Sequence, residues 1–428
     1  MARGVLAALL VVASIWSVAP AAAADEPLRV AIVSFLSGGG AATTGIPLRD
    51  AADLVIRAAN EGKLPPPYQK PGFGGWEVEP IFNDENGGTT RVVQEFRALV
   101  QRRNVKAVFG YVSSGDALAV APVADELKTT LVISEGGTPQ IFEERSYDYV
   151  FRPTAHGTIT SVGAAHYLKD MMPNVKSYSG INQNYSWGQD SWRDFQLAMK
   201  KLLPKAQPKS GLFPKLFQGQ YPSEITALME EQPDLIFSSF WGGDLEAFLA
   251  QAAGRGLNDR SKLVYTIAEI SLYRMADKFA DGTILGARGP YGALARDTEL
   301  NRWFVKNYVE AFDRKPSYPA YHIAQSVLAY KVAADKAAEK AGRKPTPDEI
   351  RAALTGLEFE SFSTHVKMAL GKGHQAITEA AFGQFKMDKA KGPTLVNVRY
   401  YPAECVNPPP DMTSKQWLEA GMPGAKCP

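Results

Sequence analysis

Two hydrophobic periods alternate along this chain. Residues 28–35 (Leu-Arg-Val-Ala-Ile-Val-Ser-Phe) form a mostly apolar run of strand length. From Pro47 the spacing becomes helical, with Leu48, Ala51, Ala52, Val55, Ile56 and Ala59 on one face. A proline near that start costs no hydrogen bond, because the first helical N–H groups lack partners anyway. The same alternation continues with a strand at 76–82, a helix around Val92, Val93, Phe96, Leu99 and Val100, a strand at 106–112, a helix at 116–127 and a strand at 129–134. Strands and helices in strict turn predict a parallel sheet covered on both faces.

A second set follows, with helices at 156–169, 190–203 and 244–253 and strands at 175–181, 235–240 and 262–267. The last third holds two longer helices, 300–312 and 319–341, then a weaker β-like stretch over 359–401. The fold class expected is α/β, as two open parallel-sheet lobes with a cleft between them. Residues 63–75 (Lys-Leu-Pro-Pro-Pro-Tyr-Gln-Lys-Pro-Gly-Phe-Gly-Gly) break both periods and read as a surface loop, either an inert insertion or a lid.

Composition adds exclusions. With 428 residues, 45% of them apolar and 10% aromatic, the chain buries full cores, so wholesale disorder is excluded. Lys and Arg number 47 against 45 Asp and Glu, a net +2 with no basic stripe, which disfavours nucleic-acid partners. The five histidines are scattered, with no HExxH pair and no Cys nearby in sequence, so no metal or other cofactor is expected. No G-x-S-x-G elbow or P-loop is present. Gly38-Gly39-Gly40 with Gly45 lacks the dinucleotide spacing, and Asp84-Glu85-Asn86-Gly87 lacks the glutamate that closes a calcium loop.

Residues 1–24 have the three parts of a secretory signal: Arg3 in a short head, an apolar run from Val5 to Val18, and Ala22-Ala23-Ala24 before Asp25. An uncleaved anchor is the alternative. No cysteine at the cut supports a lipid anchor, and no later segment has the roughly 20 apolar residues of a membrane span. Export to an oxidising compartment, without membrane insertion, is the expectation. In that oxidising compartment Cys405 and Cys427, flanking the Asn407-Pro408-Pro409-Pro410 segment, read as one disulfide closing a tail, with two free thiols as the alternative.

Two strand-to-helix loops carry the candidate chemistry. Ser113-Ser114-Gly115 and Ser134-Glu135-Gly136-Gly137-Thr138 both follow strand C-termini, where ligands of open α/β sheets bind and where hydroxyls meet free helix N–H groups. Such loops suit a carboxylate, but from the loops alone ordinary helix capping by Ser and Thr explains them better.

The stretches Ala107-Val-Phe-Gly-Tyr-Val-Ser-Ser114, Ala119-Val-Ala-Pro-Val-Ala124, Leu131-Val-Ile-Ser-Glu-Gly-Gly-Thr138, Tyr149-Val-Phe-Arg-Pro153, Asn184-Tyr-Ser-Trp-Gly-Gln-Asp190, Asp234-Leu-Ile-Phe237 with Trp241-Gly-Gly-Asp244, and Asp281-Gly-Thr-Ile-Leu285 together give the run from 28 to about 400 a family likeness. It resembles the type I periplasmic solute-binding proteins of branched-chain amino acid ABC transporters. The resemblance implies two Rossmann-like open parallel-sheet lobes joined by a three-crossover hinge that closes on a small ligand. The segments expected are the signal at 1–24, an N-terminal lobe of 25–151 plus 284–357, a C-terminal lobe of 152–283 plus 358–404, and the tail 405–428.

The resemblance assigns Ser113, Ser114, Gly137 and Thr138 to the ligand carboxylate, Glu269 to an ammonium group, and Trp187 and Trp241 to the apolar part. Trp187 stands where the family has a tyrosine, which removes a hydroxyl and widens the apolar wall. Arg152 is expected to fix a crossover instead of touching ligand. No enzymatic chemistry is implied. The partners implied are the solute and an inner-membrane permease with its ATPase, the protein itself acting as a monomer. A hydrophobic amino acid is the first solute expected; an aromatic or short carboxylic acid or amide is the alternative, as is a sensory role at a membrane receptor.

Overall fold

The computed structural model describes residues 26–427; the signal segment read from the sequence lies outside them. The first half-chain runs β1 (Leu28–Ser34), α1 (Ile46–Asn60), β2 (Val78–Asp84), α2 (Thr89–Arg103), β3 (Ala107–Gly110), α3 (Ser114–Glu126), β4 (Thr130–Ile133), α4 (Gln140–Glu143) and β5 (Val150–Phe151). Its five strands form one parallel sheet in the order β2-β1-β3-β4-β5. β3 and β4 are buried along their whole length, as expected of central parallel strands covered on both faces.

The chain then crosses over and continues as α5 (Gly157–Met171), β6 (Ser177–Ile181), α6 (Ser186–Leu202), β7 (Gln207–Leu212), α7 (Pro222–Glu231), β8 (Leu235–Ser238), α8 (Gly242–Gly254), β9 (Lys262–Tyr265) and β10 (Ile284–Gly286). A second crossover leads to α9 (Glu299–Phe312), α10 (Tyr318–Ala341) and α11 (Pro347–Leu354), and α10 returns to pack on α1 of the first lobe. A small antiparallel sheet of β11 (Glu358–Glu360), β12 (His365–Leu370) and β13 (Gln375–Ile377) precedes β14 (Ala380–Asp388) and β15 (Gly392–Tyr401). The second large sheet has the order β15-β14-β10-β9-β8-β6-β7, parallel except for β14, which runs antiparallel to both β10 and β15. The fold is thus the two-lobed α/β architecture expected.

The segment boundaries differ in detail. Residue 284 opens β10, which pairs with β9 and β14 and so belongs to the second sheet. Residue 358 opens β11–β13, whose Phe359, Val366, Met368 and Ala376 share a core with α10 and α11 of the first lobe; β14 is the element that rejoins the second sheet. Hydrophobic pattern alone does not say which sheet a short buried strand joins. The 63–75 loop packs on the first lobe: Tyr68 hydroxyl donates to Glu360 O at 2.7 Å, and Lys331 Nζ to the carbonyls of Lys70 and Gly72 at 2.8 and 3.0 Å.

The hinge is buried and hydrogen-bonded. Fully buried Arg152 donates to the carbonyls of Gly136 (2.5 Å) and Thr138 (2.8 Å) and to the side chain of Gln375, and its backbone bridges Gln375. Arg152 thereby ties the first and third crossovers together, as expected.

The tail carries two short helices, α12 (Ala403–Val406) and α13 (Ser414–Glu419). Cys405 and Cys427 are disulfide-bonded, and Trp417, Leu418 and Met422 pack into the core made with α5 and α6. Cross-linking residues 22 apart constrains the unfolded chain, so replacing both cysteines by serine is expected to cost about 3 kcal/mol in urea unfolding. A midpoint unchanged by that replacement would show the tail to be held by packing alone.

Candidate functional site

The site is built where both sets of strand-to-helix loops face each other across the hinge. On the first lobe, β3 ends in Gly110 at φ 121°, where a side chain's Cβ would lie 1.9 Å from the Val33 carbonyl, and the chain turns through Tyr111 at φ 60°. Below this turn lies buried Glu85, whose two oxygens accept the amides of Val112 (3.0 and 2.8 Å) and Ser113 (2.8 Å). The loop is therefore fixed before α3 begins.

Ser114 follows. Its Oγ accepts the amides of Gly137 (3.0 Å) and Thr138 (3.2 Å), binding the two strand-end loops to each other. With both acceptor positions used, the remaining capacity of this hydroxyl is its own hydrogen, which it can donate.

The second lobe contributes the opposing wall. Trp187, in the first turn of α6, lies against Gly137 and Gly157: a Cβ on Gly137 would come within 2.4 Å of the indole. Its Nε1 donates to Ser239 O at 2.9 Å. Trp241 precedes α8 and donates through Nε1 to the Tyr185 hydroxyl at 2.7 Å, with its ring 5.8 Å from Phe35 and 5.2 Å from Phe217. The Tyr185 oxygen accepts the indole and keeps its hydrogen to give. A cavity of about 20 Å³ is lined by Val112, Ser114, Glu135, Gly137, Tyr185, Trp187, Trp241, Ile267, Arg288 and Tyr318. That is room for about one water. A larger solute needs the lobes to part or these side chains to move.

Sequence reading missed the most heavily charged part of this cavity. Arg288, in the second crossover, adopts a left-handed backbone (φ 53°) followed by Gly289 at 140°. A non-glycine residue in this region is strained, and such strain is often kept at functional sites. Its guanidinium donates to Glu135 Oε2 (2.7 Å), Glu135 O (2.6 Å) and Ala155 O (2.5 Å), and lies 5.1 Å from the Trp187 ring. Its Nε–H is buried without a partner. The other Glu135 oxygen sits 2.9 Å from His322 Nδ1 on α10. Burial pushes the His322 imidazole below its ordinary pKa, against the pull of Glu135, and so favours the neutral ring. Glu135 stood in the Leu131–Thr138 stretch; no local signal marks Arg288.

Of the residues assigned from sequence, Ser114, Gly137, Trp187 and Trp241 line the cavity. Ser113, Thr138 and Glu269 do not. Ser113 caps α3, accepting the Asp116 amide at 3.4 Å. Thr138 donates to Asp190 Oδ2 at 2.6 Å and so latches the first lobe to α6. Glu269 is buried behind the wall, where Oε1 accepts the Ala293 amide and Oε2 the Tyr318 amide, both at 3.0 Å. Its carboxyl is a structural acceptor at the second crossover.

Burial raises the Glu269 pKa to about 7, only partly offset by those two amides. A carboxyl with a raised folded-state pKa binds more protons folded than unfolded. Stability is accordingly expected to fall by about 3 kcal/mol as pH rises from 4.5 to 7, then to level off. Thermal unfolding across that window should show a flatter pH profile for Glu269→Gln; identical slopes would assign the dependence to other groups.

The family profile of periplasmic binding proteins matches residues 27–392. The chain belongs to this family. Leu/Ile/Val-binding protein homolog 4 of Brucella abortus (strain 2308) is 24% identical over 307 residues, covering 70% of each chain. The fold is similar to a solute-binding protein of an ABC transporter from Rhodopseudomonas palustris BisB5 in complex with 3,4-dihydroxybenzoic acid (TM-score 0.76, 18% identity, 88% of this chain and 98% of that one). It is also similar to a leucine-binding protein from Thermotoga maritima MSB8 (TM-score 0.69, 18% identity, 87% and 98%). As a periplasmic binding protein the chain is a solute binder and not an enzyme. No helix among the described residues is long and apolar enough to cross a membrane.

Proposed function

We propose that this periplasmic binding protein is the exported solute-binding component of an ABC importer, and that its solute is an aromatic or short carboxylic acid lacking an amine. Closure of the lobes would seat the acid in the cleft, and the closed form would be what the inner-membrane permease and its ATPase receive. The observation that carries the solute class is the imbalance of hydrogen-bonding capacity around the cavity. Ser114 and Tyr185 each keep a hydroxyl hydrogen to donate, and Arg288 keeps a buried Nε–H without a partner. Three donors carried by residues that line the cavity suit an acceptor-only group, and a carboxylate is the group that rewards them most. Trp187, Trp241, Tyr318 and Ile267 supply the apolar wall an aromatic ring requires.

An amino acid would also bring an ammonium, which needs an unengaged carboxylate. Among the described residues Glu135 is the only carboxylate lining the cavity; Arg288 holds its Oε2, whereas its Oε1 lies 2.9 Å from His322 Nδ1 without a hydrogen bond, so an ammonium would have to share this carboxylate with the guanidinium. Glu269, on which the amino-acid expectation rested, is held by two backbone amides. Complexes of neighbouring folds with 3,4-dihydroxybenzoic acid and benzoate agree with an acid of this kind.

The test is a melting scan of refolded mature protein against benzoates, short aliphatic acids and leucine. A true ligand at 100 times its Kd adds about 2.7 kcal/mol. Acids are expected to shift the transition and leucine to leave it in place. Ser114→Ala should weaken acid binding by roughly 1.5–3 kcal/mol, the worth of a hydrogen bond to a charged group. A shift with leucine alone would reverse the solute class while keeping the transport reading.

A further inference from the structure

A second constellation lies outside the cleft, on α5. His166 Nε2 stands 3.5 Å from Cys405 Sγ and 3.4 Å from Cys427 Sγ, and these three atoms all lie within 4.8 Å of one another. The sequence gives no hint of this, since 239 and 261 residues separate the histidine from the two cysteines. We propose that the tail disulfide conceals a Cys2His site for a thiophilic divalent cation of the zinc type, which forms when a dithiol reductant opens the Cys405–Cys427 bond.

The geometry is the argument. Zinc–sulfur bonds of about 2.3 Å and zinc–nitrogen bonds of about 2.05 Å at a tetrahedral angle set nitrogen and sulfur about 3.6 Å apart. The imidazole nitrogen already holds both sulfurs near that separation. Only the two sulfurs, once no longer bonded, must part, to about 3.8 Å. Buried His166 and Cys405 are fixed by packing: the His166 ring lies 5.6 Å from Tyr401, whose hydroxyl is held by Asp170 at 2.8 Å. Cys427, near the chain end, is exposed and can make the movement. The tail keeps other anchors, among them Ser414 on Glu143 through its amide at 2.8 Å and its hydroxyl at 2.5 Å, and Trp417 in the core. Opening the disulfide therefore leaves both sulfurs near the histidine. Three protein ligands leave a fourth position for water.

The chemistry balances. One thiolate of the reductant attacks exposed Cys427 Sγ, the S–S bond breaks, and Cys405 leaves as thiolate beside His166. The second thiolate of the reductant then displaces Cys427 and closes the reductant's own disulfide. Two electrons pass to the protein, its two thiolates take up the two protons that the reductant's thiols gave to solvent, and cation binding releases those protons again.

Cadmium(II) serves as the probe, titrated anaerobically into full mature protein with the disulfide intact or reduced, and followed by thiolate-to-metal absorption and native mass. Reduced protein is expected to take one cadmium per chain and the oxidised protein none. His166→Ala should weaken binding by at least the roughly 10–100-fold that even outer contacts of metal ligands are worth. Cys405→Ser should abolish the thiolate pair. Oxidised His166→Ala should keep the melting shift given by the cleft solute, which separates this site from the cleft. The proposal is overturned if reduced protein binds no cadmium, or if His166→Ala binds it as tightly as the parent.

Discussion

Replacing Arg288 by methionine should be among the most damaging single changes in this protein. The guanidinium is the direct counter-charge of Glu135, buried with it between the lobes, and it also caps the carbonyls of Glu135 and Ala155. Removing one partner of a buried pair leaves an uncompensated charge, a loss of about 3–5 kcal/mol. Urea unfolding should show it, and solute binding should fall with it, because one of three donors has gone and Trp187 has lost the cation against its ring. The loss of packing can be separated from the loss of charge by Glu135→Gln in the same background. With the orphaned charge removed, the double variant is expected to regain much of the stability but not the binding. If Arg288→Met unfolds within about 1 kcal/mol of the parent, the pair is not held as described and the cleft reading loses its anchor.

That pair also marks the limit of what the sequence made legible. The two-lobed architecture could be read because βα units repeat the same apolar periods whatever surrounds them. Central strands such as β3 and β4, buried throughout, are the clearest case. Edge strand β7, Gln-Pro-Lys-Ser-Gly-Leu, has no fully buried residue and gave no hydrophobic signal. The site was half legible for a related reason. Ser114 and Gly137 sit at strand C-termini, a position that topology alone marks for ligands. Trp187 and Trp241 could be placed by resemblance. Thr138 and Glu269 are buried polar residues near the cleft, but what they bond is a side chain 52 residues away for Thr138 and backbone amides 24 and 49 residues away for Glu269. Arg288 lies 153 residues from Glu135, and no local pattern announces such a pair.

Trp187 should give the largest effect on binding without touching a charge. It is the second-lobe side chain packed against the first-lobe loop at Gly137, so both faces of the hinge motion meet on one indole. Truncation to alanine removes a ring that is 4% exposed, at a cost of about 3–5 kcal/mol in stability. It also deletes the central aromatic wall, and truncating such a contact commonly costs at least about 2 kcal/mol of binding, some 30-fold. Trp187→Phe separates the two roles, since it retains a ring against Gly137 and loses only the Nε1–H bond to Ser239 O. This variant is expected to bind the acid with a smaller loss than alanine, and its tryptophan emission should no longer respond to the solute as the parent's does. Trp241 remains bonded to Tyr185 in it and serves as the internal control. An emission response identical to the parent's would mean that the hinge closes without disturbing Trp187. The contact with Gly137 would then be a feature of one lobe arrangement and not the surface on which solute binding is read.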